Sequence, residues 1–494
     1  PMEQRGWCWW LLLLVGIQLA GGQCPEQCQC VRTAQVECSG AGITAIPSPI
    51  PANAMTLQII NTRITELGDA SFGNASLLIG LRIEKNDLSR ISPGAFQDLP
   101  DLRYLSLASN KLQELPVQVF EPLDKLESLL LSSNQILQVE PSHYLAGTTV
   151  DRRPPRAFER LARLQVLRLY ENRLQQIPAG AFDGLPELQE LGLHQNQLET
   201  LSPELFVHNR NLQKLYLSNN LLTTLPSGVF LPLRALAKIT LHVNRLRDIS
   251  PGAFGPMPDL RELWLYENEL STLPTAVFGN LTQLQLLVLS KNRLRSVAPR
   301  AFWGLEEPLQ LPSNALEYLP AGIFSPLAAL REVKLHNNSW RCDEGILPLR
   351  GWLKDNPHKV GEITPLCAQP LTVRGTPITA VPRDQLLTPQ SPTAFPHPST
   401  LLPALPSEVA SPEGAWTEPP MGLPVSPWEE EEEAEEEEED RGQWGLTRMQ
   451  SGVVVAVIVL VCVALLAALV ALVVYGCRKK SHVVLMRMKA PNEA

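Results

Sequence analysis

Leucines recur along this chain at a spacing longer than the period of any single helix or strand. The pattern L-x-x-L-x-L-x-x-N-x-L appears again and again between residues 54 and 338, and most neighbouring copies follow at a constant step of 24. Successive side chains of a strand point to opposite faces, so L-x-L predicts a short strand whose leucines face inward. Each copy exposes an apolar edge that the next copy covers, and the pattern therefore predicts a solenoid with one continuous core.

A polar residue after each predicted strand marks the copies. We number the copies from repeat 1 to repeat 12 by these markers, which are Thr62, Asn86, Asn110, Asn134, Asn172, Asn196, Asn220, Asn244, Asn268, Asn292, Asn314 and Asn338. An asparagine amide donates and accepts hydrogen bonds at once, so it can satisfy backbone groups where the chain turns. We therefore expect these ladder asparagines to be structural and not catalytic.

A second marker, phenylalanine, lies ten residues after most of the first. Its positions are Phe72, Phe96, Phe120, Phe182, Phe206, Phe230, Phe254 and Phe278. We expect these rings to fill the space between turns on the outer side. Bulkier turns outside should curve the parallel sheet, with the strands on the hollow face. The predicted class is an α/β solenoid of about twelve repeats.

Two joins break the rhythm. The step from Asn134 to Asn172 is 38, and residues 146–155 (AGTTVDRRPP) contain no L-x-L. The step from Asn292 to Asn314 is 22, and residues 306–308 (EEP) stand where leucines belong. One interpretation is a protruding loop and a point of flexure. The interpretation we favour is an irregular or mis-joined sequence.

The two ends of the chain predict its compartment. Residues 7–20 form an apolar run that small residues follow, which is typical of a signal peptide. Residues 453–475 carry no charge and are long enough to cross a hydrocarbon core of about 30 Å. Arg478, Lys479 and Lys480 follow at once and predict a cytoplasmic C-terminus. The chain is thus expected to be a type I single-pass protein of the plasma membrane.

Composition agrees with a folded outer portion and an extended stalk. Hydrophobic residues make up 44% of the chain and charged residues 19%, which excludes wholesale disorder. The net charge of −9 is local, because residues 429–440 contain eleven acidic residues. The chain has no extended positive field, so its charge does not predict nucleic-acid binding. The acidic run is interpreted as a solvated spacer, with binding of a basic partner or Ca²⁺ as the alternative.

Cysteines outside the predicted signal and span number six. They are Cys24, Cys28, Cys30, Cys38, Cys342 and Cys367, and an even number in an oxidising compartment predicts three disulfides. Cys477, at the inner edge of the span, is either palmitoylated or a free thiol.

These cysteines also carry a family resemblance. The groups before repeat 1 and after repeat 12 resemble the flanking caps of extracellular leucine-rich repeat proteins. That resemblance implies the pairs Cys24–Cys30 and Cys28–Cys38, and it implies Cys342–Cys367 because Glu344 stands where the cap usually has another cysteine.

The resemblance extends to a single-span, cell-surface member of the family. It rests on stretches such as LRIEKNDLSRISPGAF (81–96), LRELWLYENEL (260–270) and VVLMRMKAPNEA (483–494). It implies adhesion to matrix proteins such as collagen, fibronectin and laminin.

Together these features divide the chain into seven segments. They are a signal peptide (1–22), a cysteine-rich N-terminal cap (23–53), the repeats (54–338), a cysteine-containing C-terminal cap (339–375), a disordered stalk, Pro-rich and then acidic (376–450), a transmembrane helix (451–477) and a cytoplasmic tail (478–494).

Variable positions within and just after L-x-L should point into the hollow. They carry Tyr104, Arg168, Tyr170, Lys214, Tyr216, Trp264 and Tyr266. Of these residue types, Tyr, Trp and Arg are the usual anchors of protein contacts. Trp264 and Tyr266 flank one strand leucine and should stand side by side. The alternative is that these side chains merely cover the sheet. Sequons at Asn74, Asn280 and Asn337 predict glycosylation.

Catalytic chemistry has little support in the sequence. No H-E-x-x-H, G-x-S-x-G or phosphate-binding glycine loop occurs. His194 and His242 lie two repeats apart, about 10 Å, which is too far to share a metal ion. We predict no enzyme activity, no cofactor and no metal.

Two functions remain. The first is a receptor or adhesion protein that binds matrix proteins through the hollow face, with a membrane co-receptor because the tail at 478–494 is too short to signal alone. The alternative is an auxiliary single-span subunit of a channel or receptor complex.

Overall fold

The computed structural model describes residues 24–387, apart from residues 32–33, 74, 140–155, 251, 303–308, 326 and 328–329. The predicted signal peptide, transmembrane helix, cytoplasmic tail and most of the stalk lie outside these residues, as do Asn74 and both irregular segments. Among the described residues, no helix is long and apolar enough to span a bilayer.

One sheet of 14 strands runs through the described chain. It begins with the antiparallel hairpin Cys28–Val31 and Gln35–Ser39. Twelve parallel strands follow, one for each repeat, and they make about eleven turns of the solenoid. They are Thr56–Ile60, Gly80–Glu84, Tyr104–Ser106, Ser128–Leu130, Val166–Arg168, Glu190–Gly192, Lys214–Tyr216, Lys238–Thr240, Glu262–Trp264, Leu286–Val288, Leu309–Gln310 and Val333–Lys334.

The leucines of the pattern form the core, as the spacing predicts. In repeat 3, Leu102, Leu105 and Leu107 are fully buried, and the same three positions are buried in the neighbouring repeats. Leu105 pairs with Leu81 and Leu129 across the sheet, so each leucine packs against its counterparts in the repeats before and after it. The core is thus a set of leucine columns that run along the solenoid.

Phenylalanines form a second column on the outer side. Neighbouring rings stack, with centroids 6.0 Å apart for Phe72 and Phe96 and 6.5 Å apart for Phe182 and Phe206. Phe158 continues the column across the first irregular join, at 6.3 Å from Phe120. The sequence spacing missed Phe158, because the extra residues of the join place it further from Asn134 than the usual spacing of the two markers.

Both joins leave the sheet continuous. Across the first, Ser128 pairs with Val166 and Leu130 with Arg168. Across the second, Leu287 pairs with Leu309. The ladder of described strands is therefore unbroken across both joins.

The outer side corrects the predicted class. In the described repeats it consists of turns and of two-residue strands, paired as Glu66–Leu67 with Arg90–Ile91, Thr224–Leu225 with Asp248–Ile249, and Thr272–Leu273 with Ser296–Val297. The described repeats therefore form a β-solenoid and not the α/β class that the sequence predicts. The helices within the described part belong to the C-terminal cap, as Leu347–Asp355 and Arg383–Leu387, with 3₁₀ turns at Glu344–Ile346, Pro357–Lys359 and Leu371–Val373.

Disulfides close both caps. Cys24 pairs with Cys30, Cys28 with Cys38, and Cys342 with Cys367, which are the pairs that the family resemblance implies. In the C-terminal cap, the fully buried Trp340 donates a hydrogen bond from Nε1 to the Leu335 carbonyl at 3.0 Å.

The C-terminal cap is longer than the sequence indicates. Ile378, Val381 and Leu386 are buried. The Cys367 amide donates to the Thr376 carbonyl at 2.9 Å. Folded structure therefore continues through Leu387, past residue 375, where we placed the end of the cap.

Candidate functional site

Ladder asparagines hold each strand end in place and so position the hollow face. Asn196 Nδ2 donates to the carbonyls of Leu169, Leu193 and His194 at 3.0–3.1 Å. Its Oδ1 accepts from the Leu174 amide at 3.0 Å. The asparagine therefore satisfies backbone groups of two repeats at once, which is the structural role that the sequence predicts.

The residue before each ladder position has a left-handed backbone. All twelve are non-glycine residues with φ between 51° and 57°, namely Asn61, Lys85, Ser109, Ser133, Glu171, Gln195, Asn219, Val243, Glu267, Lys291, Ser313 and Asn337. Sequence reasoning missed this feature, because only asparagine among these residue types has a marked preference for that region.

The predicted hollow-face residues come from repeats 3, 5, 7 and 9. Repeats 5 to 9 are successive strands, so their variable side chains form one surface. We call Arg168, Tyr170, Lys214, Tyr216, Trp264 and Tyr266, together with His194, Lys238, His242, Glu190 and Glu262 between them, the aromatic face. Tyr104 lies two repeats before Arg168 and outside this group.

Two histidines each stack on a tyrosine of the aromatic face. His194 stacks on Tyr170, with ring centroids 4.3 Å apart and planes at 15°, and it meets Tyr216 edge-on at 5.9 Å. His242 stacks on Tyr266 at 4.4 Å and 9°, and it lies 6.4 Å from Trp264. Sequence reasoning considered these histidines only as metal ligands. Their signal was present, since residues 170, 194, 218, 242 and 266 read Tyr, His, Ser, His, Tyr at steps of 24.

Trp264 and Tyr266 stand side by side, as their positions flanking a leucine suggest. Their ring centroids lie 6.2 Å apart in an edge-to-face arrangement of 68°. Trp264 Nε1 donates to a Glu262 carboxylate oxygen at 3.1 Å, which fixes the indole. Trp264 remains partly exposed, whereas Tyr266 is 7% exposed. The indole is therefore oriented by its neighbours yet open to solvent.

Charged side chains connect the two stacks. Glu190 pairs with Arg168 at 3.0 Å and with Lys214 at 3.8 Å, and Lys238 lies 3.8 Å from Glu262. Lys238 Nζ also lies 5.7 Å from the Tyr216 ring centroid and 5.9 Å from that of Trp264, which is cation–π geometry. Ion pairs and cation–π contacts thus connect neighbouring side chains across the aromatic face.

Burial keeps both histidines neutral. Burial and, second, the Arg168 charge lower the pKa of His194 to about 3. Burial, His194 and Lys238 lower the pKa of His242 to about 3. At neutral pH these rings therefore contribute aromatic surface and no charge.

Other predicted site residues lie elsewhere. Asn280 and Asn337 are at least partly accessible, as a glycan requires, while Asn74 lies outside the described residues. Within the described ranges, no three His, Cys, Asp or Glu side chains are grouped so as to hold a metal ion.

Comparison with known families finds a match to the model of the leucine rich repeat. Its pattern matches residues 52–112, 144–198, 186–246, 210–270, 234–294 and 258–307. These matches fall within the solenoid.

Two curated relatives share short stretches with the chain. Human leucine-rich repeat-containing protein 15 is 59% identical over 86 residues, which are 16% of this chain and 15% of that protein. The rat platelet glycoprotein Ib beta chain is 42% identical over 78 residues, which are 16% of this chain and 38% of that protein. The chain thus spans well under half the length of either relative.

Solved structures share the fold. A chain of the octameric complex of Latrophilin 3, Unc5D and FLRT2 superposes with a TM-score of 0.57 at 24% identity, over 74% of this chain and 99% of that one. A chain of the Drosophila Toll–Spatzle complex has a TM-score of 0.56 at 22% identity, over 72% and 54%. The repeat pattern, the sheet register and the matched residues agree, and they show that the solenoid of this chain is similar to leucine-rich repeats over residues 52–112 and 144–307.

Proposed function

We propose that this protein is a cell-surface receptor or adhesion protein whose aromatic face binds extracellular matrix proteins of the collagen, fibronectin or laminin class. It acts by binding and not by catalysis. The predicted type I topology, with one span and a short cytoplasmic tail, places the solenoid outside the plasma membrane and leaves signalling to a membrane partner.

The aromatic face carries this proposal. Tyrosine, tryptophan and arginine dominate the energetics of protein interfaces, because they bury large areas with few rotatable bonds. Here Arg168, Tyr170 and Trp264 remain partly exposed, whereas Tyr216 and Tyr266 are buried beneath the face. The Glu190 carboxylate holds Arg168, and the Glu262 carboxylate holds Trp264. A braced side chain loses little entropy on binding, so the face is preorganised for a ligand.

The relatives support the class of function. This chain and leucine-rich repeat-containing protein 15 are 59% identical over 86 residues, and we infer that the two proteins have the same type of function. The matrix ligands follow from the family resemblance. Because the shared stretch covers a small part of that protein, the ligand is best identified by direct binding.

The test is a pair of substitutions in the full chain displayed on cells. Trp264→Ala combined with Tyr266→Ala should reduce capture of the matrix ligand at least tenfold, since the first removes a partly exposed aromatic contact and the second removes the buried ring beside which the indole is held. Binding of labelled collagen, fibronectin and laminin is measured at equal surface expression. Leu231→Ala, at a 47% exposed position outside the aromatic face, is the matched control and should bind normally.

Two outcomes contradict the proposal. If the double variant captures its ligand as well as the control, the aromatic face is not the binding site. If the unaltered chain captures none of the three proteins, the matrix ligands are wrong. Trp264→Phe retains an aromatic ring and should bind more strongly than Trp264→Ala, which separates loss of contact from misfolding.

An auxiliary subunit is the second candidate. Its support is the similarity to a protein that is named as the beta chain of a glycoprotein. In that case the contact lies in the span, and exchanging residues 453–475 for an unrelated apolar segment should abolish co-purification with the partner chain. Matrix capture that survives this exchange would favour the adhesion role.

A further inference from the structure

Four exposed arginines lie together on one side of the solenoid, next to the hollow face. Arg245 and Arg293 directly follow the ladder asparagines of repeats 8 and 10, and Arg247 and Arg295 stand two residues further on. We call these four residues the arginine flank. Between them, repeat 9 carries Glu269 and Ser271 at the same two positions. The flank is therefore two rows of charge along the solenoid axis.

Backbone hydrogen bonds between repeats hold these rows in register. The Arg245 amide donates to the Leu222 carbonyl at 2.9 Å, and the Arg293 amide donates to the Leu270 carbonyl at 3.0 Å. The Arg295 amide donates to the Ser271 carbonyl at 3.0 Å. The side chains are thus mounted on the rigid scaffold and not on a loop.

Glu269 lies beneath two of the arginines. One oxygen accepts from Arg247 Nε at 3.2 Å, and the other from Arg293 Nη2 at 3.0 Å. The Glu269 side chain is 26% exposed, whereas Arg247 and Arg293 are 70% and 68% exposed. The carboxylate therefore orients both guanidinium groups and leaves them facing solvent.

The flank carries more cations than its carboxylates neutralise. In the described part of the chain, Arg245 and Arg295 have no carboxylate within ion-pair distance. Glu269 is the acid within the rows of repeats 8 to 10, Asp248 directly follows Arg247, and Glu317 follows in repeat 11. The four arginines thus exceed the two acids among them by two positive charges.

The same side of repeats 1 to 3 is balanced instead. Arg90 pairs with Glu66 at 2.7 Å, and Lys111 pairs with Asp87 at 2.6 Å. Arg63 and Glu114 complete an equal number of each sign. The charge excess is therefore a property of repeats 8 to 10 and not of the scaffold.

We propose that the arginine flank binds a sulfated polysaccharide. Guanidinium groups are always charged, and their planar donors match oxyanions in pairs. Within each row the arginines lie two repeats apart, about 10 Å, with repeat 9 between them. A linear polysaccharide that carries sulfates on alternate sugars presents anions at intervals of this order.

An acidic peptide fits the flank less well. Same-side residues of an extended peptide recur about every 7 Å. Successive carboxylates would therefore fall near Glu269, which repels them, and not on the arginines alone. The spacing favours the polysaccharide.

Heparin is the probe for the experiment. The full chain is captured from detergent-solubilised cells, and heparin binding is measured at several salt concentrations. Arg245→Ser with Arg295→Ser should weaken binding about tenfold. It should also reduce the slope of log Kd against log salt by about one to two, because the variant makes fewer ionic contacts and its binding therefore releases fewer counterions. Arg63→Ser with Arg90→Ser removes the same charge from the same side of repeats 1 and 2 and should change binding little.

Several results would overturn the proposal. Equal loss in both double variants would show that heparin responds to net charge alone. Absence of heparin binding by the unaltered chain, or stronger competition by polyglutamate than by heparin, would reject the ligand class. Arg245→Lys with Arg295→Lys keeps the charge but not the planar donors, so this variant should bind more strongly than the serine variant and more weakly than the unaltered chain, which excludes misfolding as the cause. Heparin binding that persists in Trp264→Ala separates this surface from the aromatic face.

Discussion

Repeats 3 and 4 and repeats 5 to 9 share one scaffold and carry different hollow faces. In both regions the leucines are buried and the ladder asparagine makes the same bonds, as Asn110 and Asn196 show. The variable positions differ, because repeats 3 and 4 present Ser106, Ala108 and Ser132 where the later repeats present rings. The comparison teaches that the consensus positions make the solenoid and the variable positions make the surface.

Breaking the scaffold should have the largest effect, and the same effect in both regions. Asn196→Asp replaces a buried donor of three hydrogen bonds with a carboxylate that faces carbonyl oxygens. We expect a loss of about 3–5 kcal/mol in the free energy of unfolding. Denaturant titration followed by circular dichroism measures this loss. Asn110→Asp in repeat 3 should cost about the same, and a much smaller cost there would show that the two scaffolds are not equivalent.

Low pH should destabilise repeats 5 to 9 specifically, because His194 and His242 both belong to them. The pKa of His194 and of His242 is about 3 in the folded protein, against about 6.5 when unfolded. Between these values the unfolded state binds more protons, so the stabilising contribution is complete above pH 6.5 and is lost as the pH falls toward 3. At pH 4.5 we expect a loss of about 3 kcal/mol for each histidine.

Thermal unfolding between pH 7 and pH 4 tests this dependence. The midpoint of His194→Gln with His242→Gln should fall less with acid than that of the unaltered chain. His208→Gln, at an exposed position outside the aromatic face, is the control and should leave the pH dependence unchanged. If the double variant has the pH profile of the unaltered chain, the two buried histidines are not its source.

The smallest effect concerns one backbone position. Val243 has φ of 52° and is β-branched, a combination that is sterically unfavourable. Asn219, in the preceding repeat, has the same φ with a residue type that tolerates it. We expect Val243→Asn to stabilise the protein by about 1 kcal/mol and Asn219→Val to destabilise it by a similar amount, as measured by denaturant titration. Equal stability of both variants would show that the backbone relaxes.

Much of the fold could be predicted from the sequence, because the repeat imposes the same constraint twelve times. The constant period, the inward leucines and the ladder asparagines all follow from a local pattern. The α/β class was wrong, since the pattern says little about the return path on the outer side. The cap boundary at residue 375 was also misplaced, because Ile378, Val381 and Leu386 lack a repeating pattern.

The candidate site was predictable only in part. Trp264 and Tyr266 could be paired from their positions on either side of a leucine. His194 and His242 could not be recognised as ring partners, because their neighbours belong to adjacent repeats and their orientation depends on packing. The arrangement of the arginine flank was also not predictable, because it depends on Arg247 and Arg293 sharing the Glu269 carboxylate.

By itself, the sequence determined that leucine columns must stack, because an isolated repeat cannot bury its own apolar edge. It also determined which residue types occupy the hollow face. Only the tertiary structure decided which of those residues meet, because stacking brings together side chains that are one repeat apart along the chain. Burial in those stacks, in turn, holds His194 and His242 in their neutral forms.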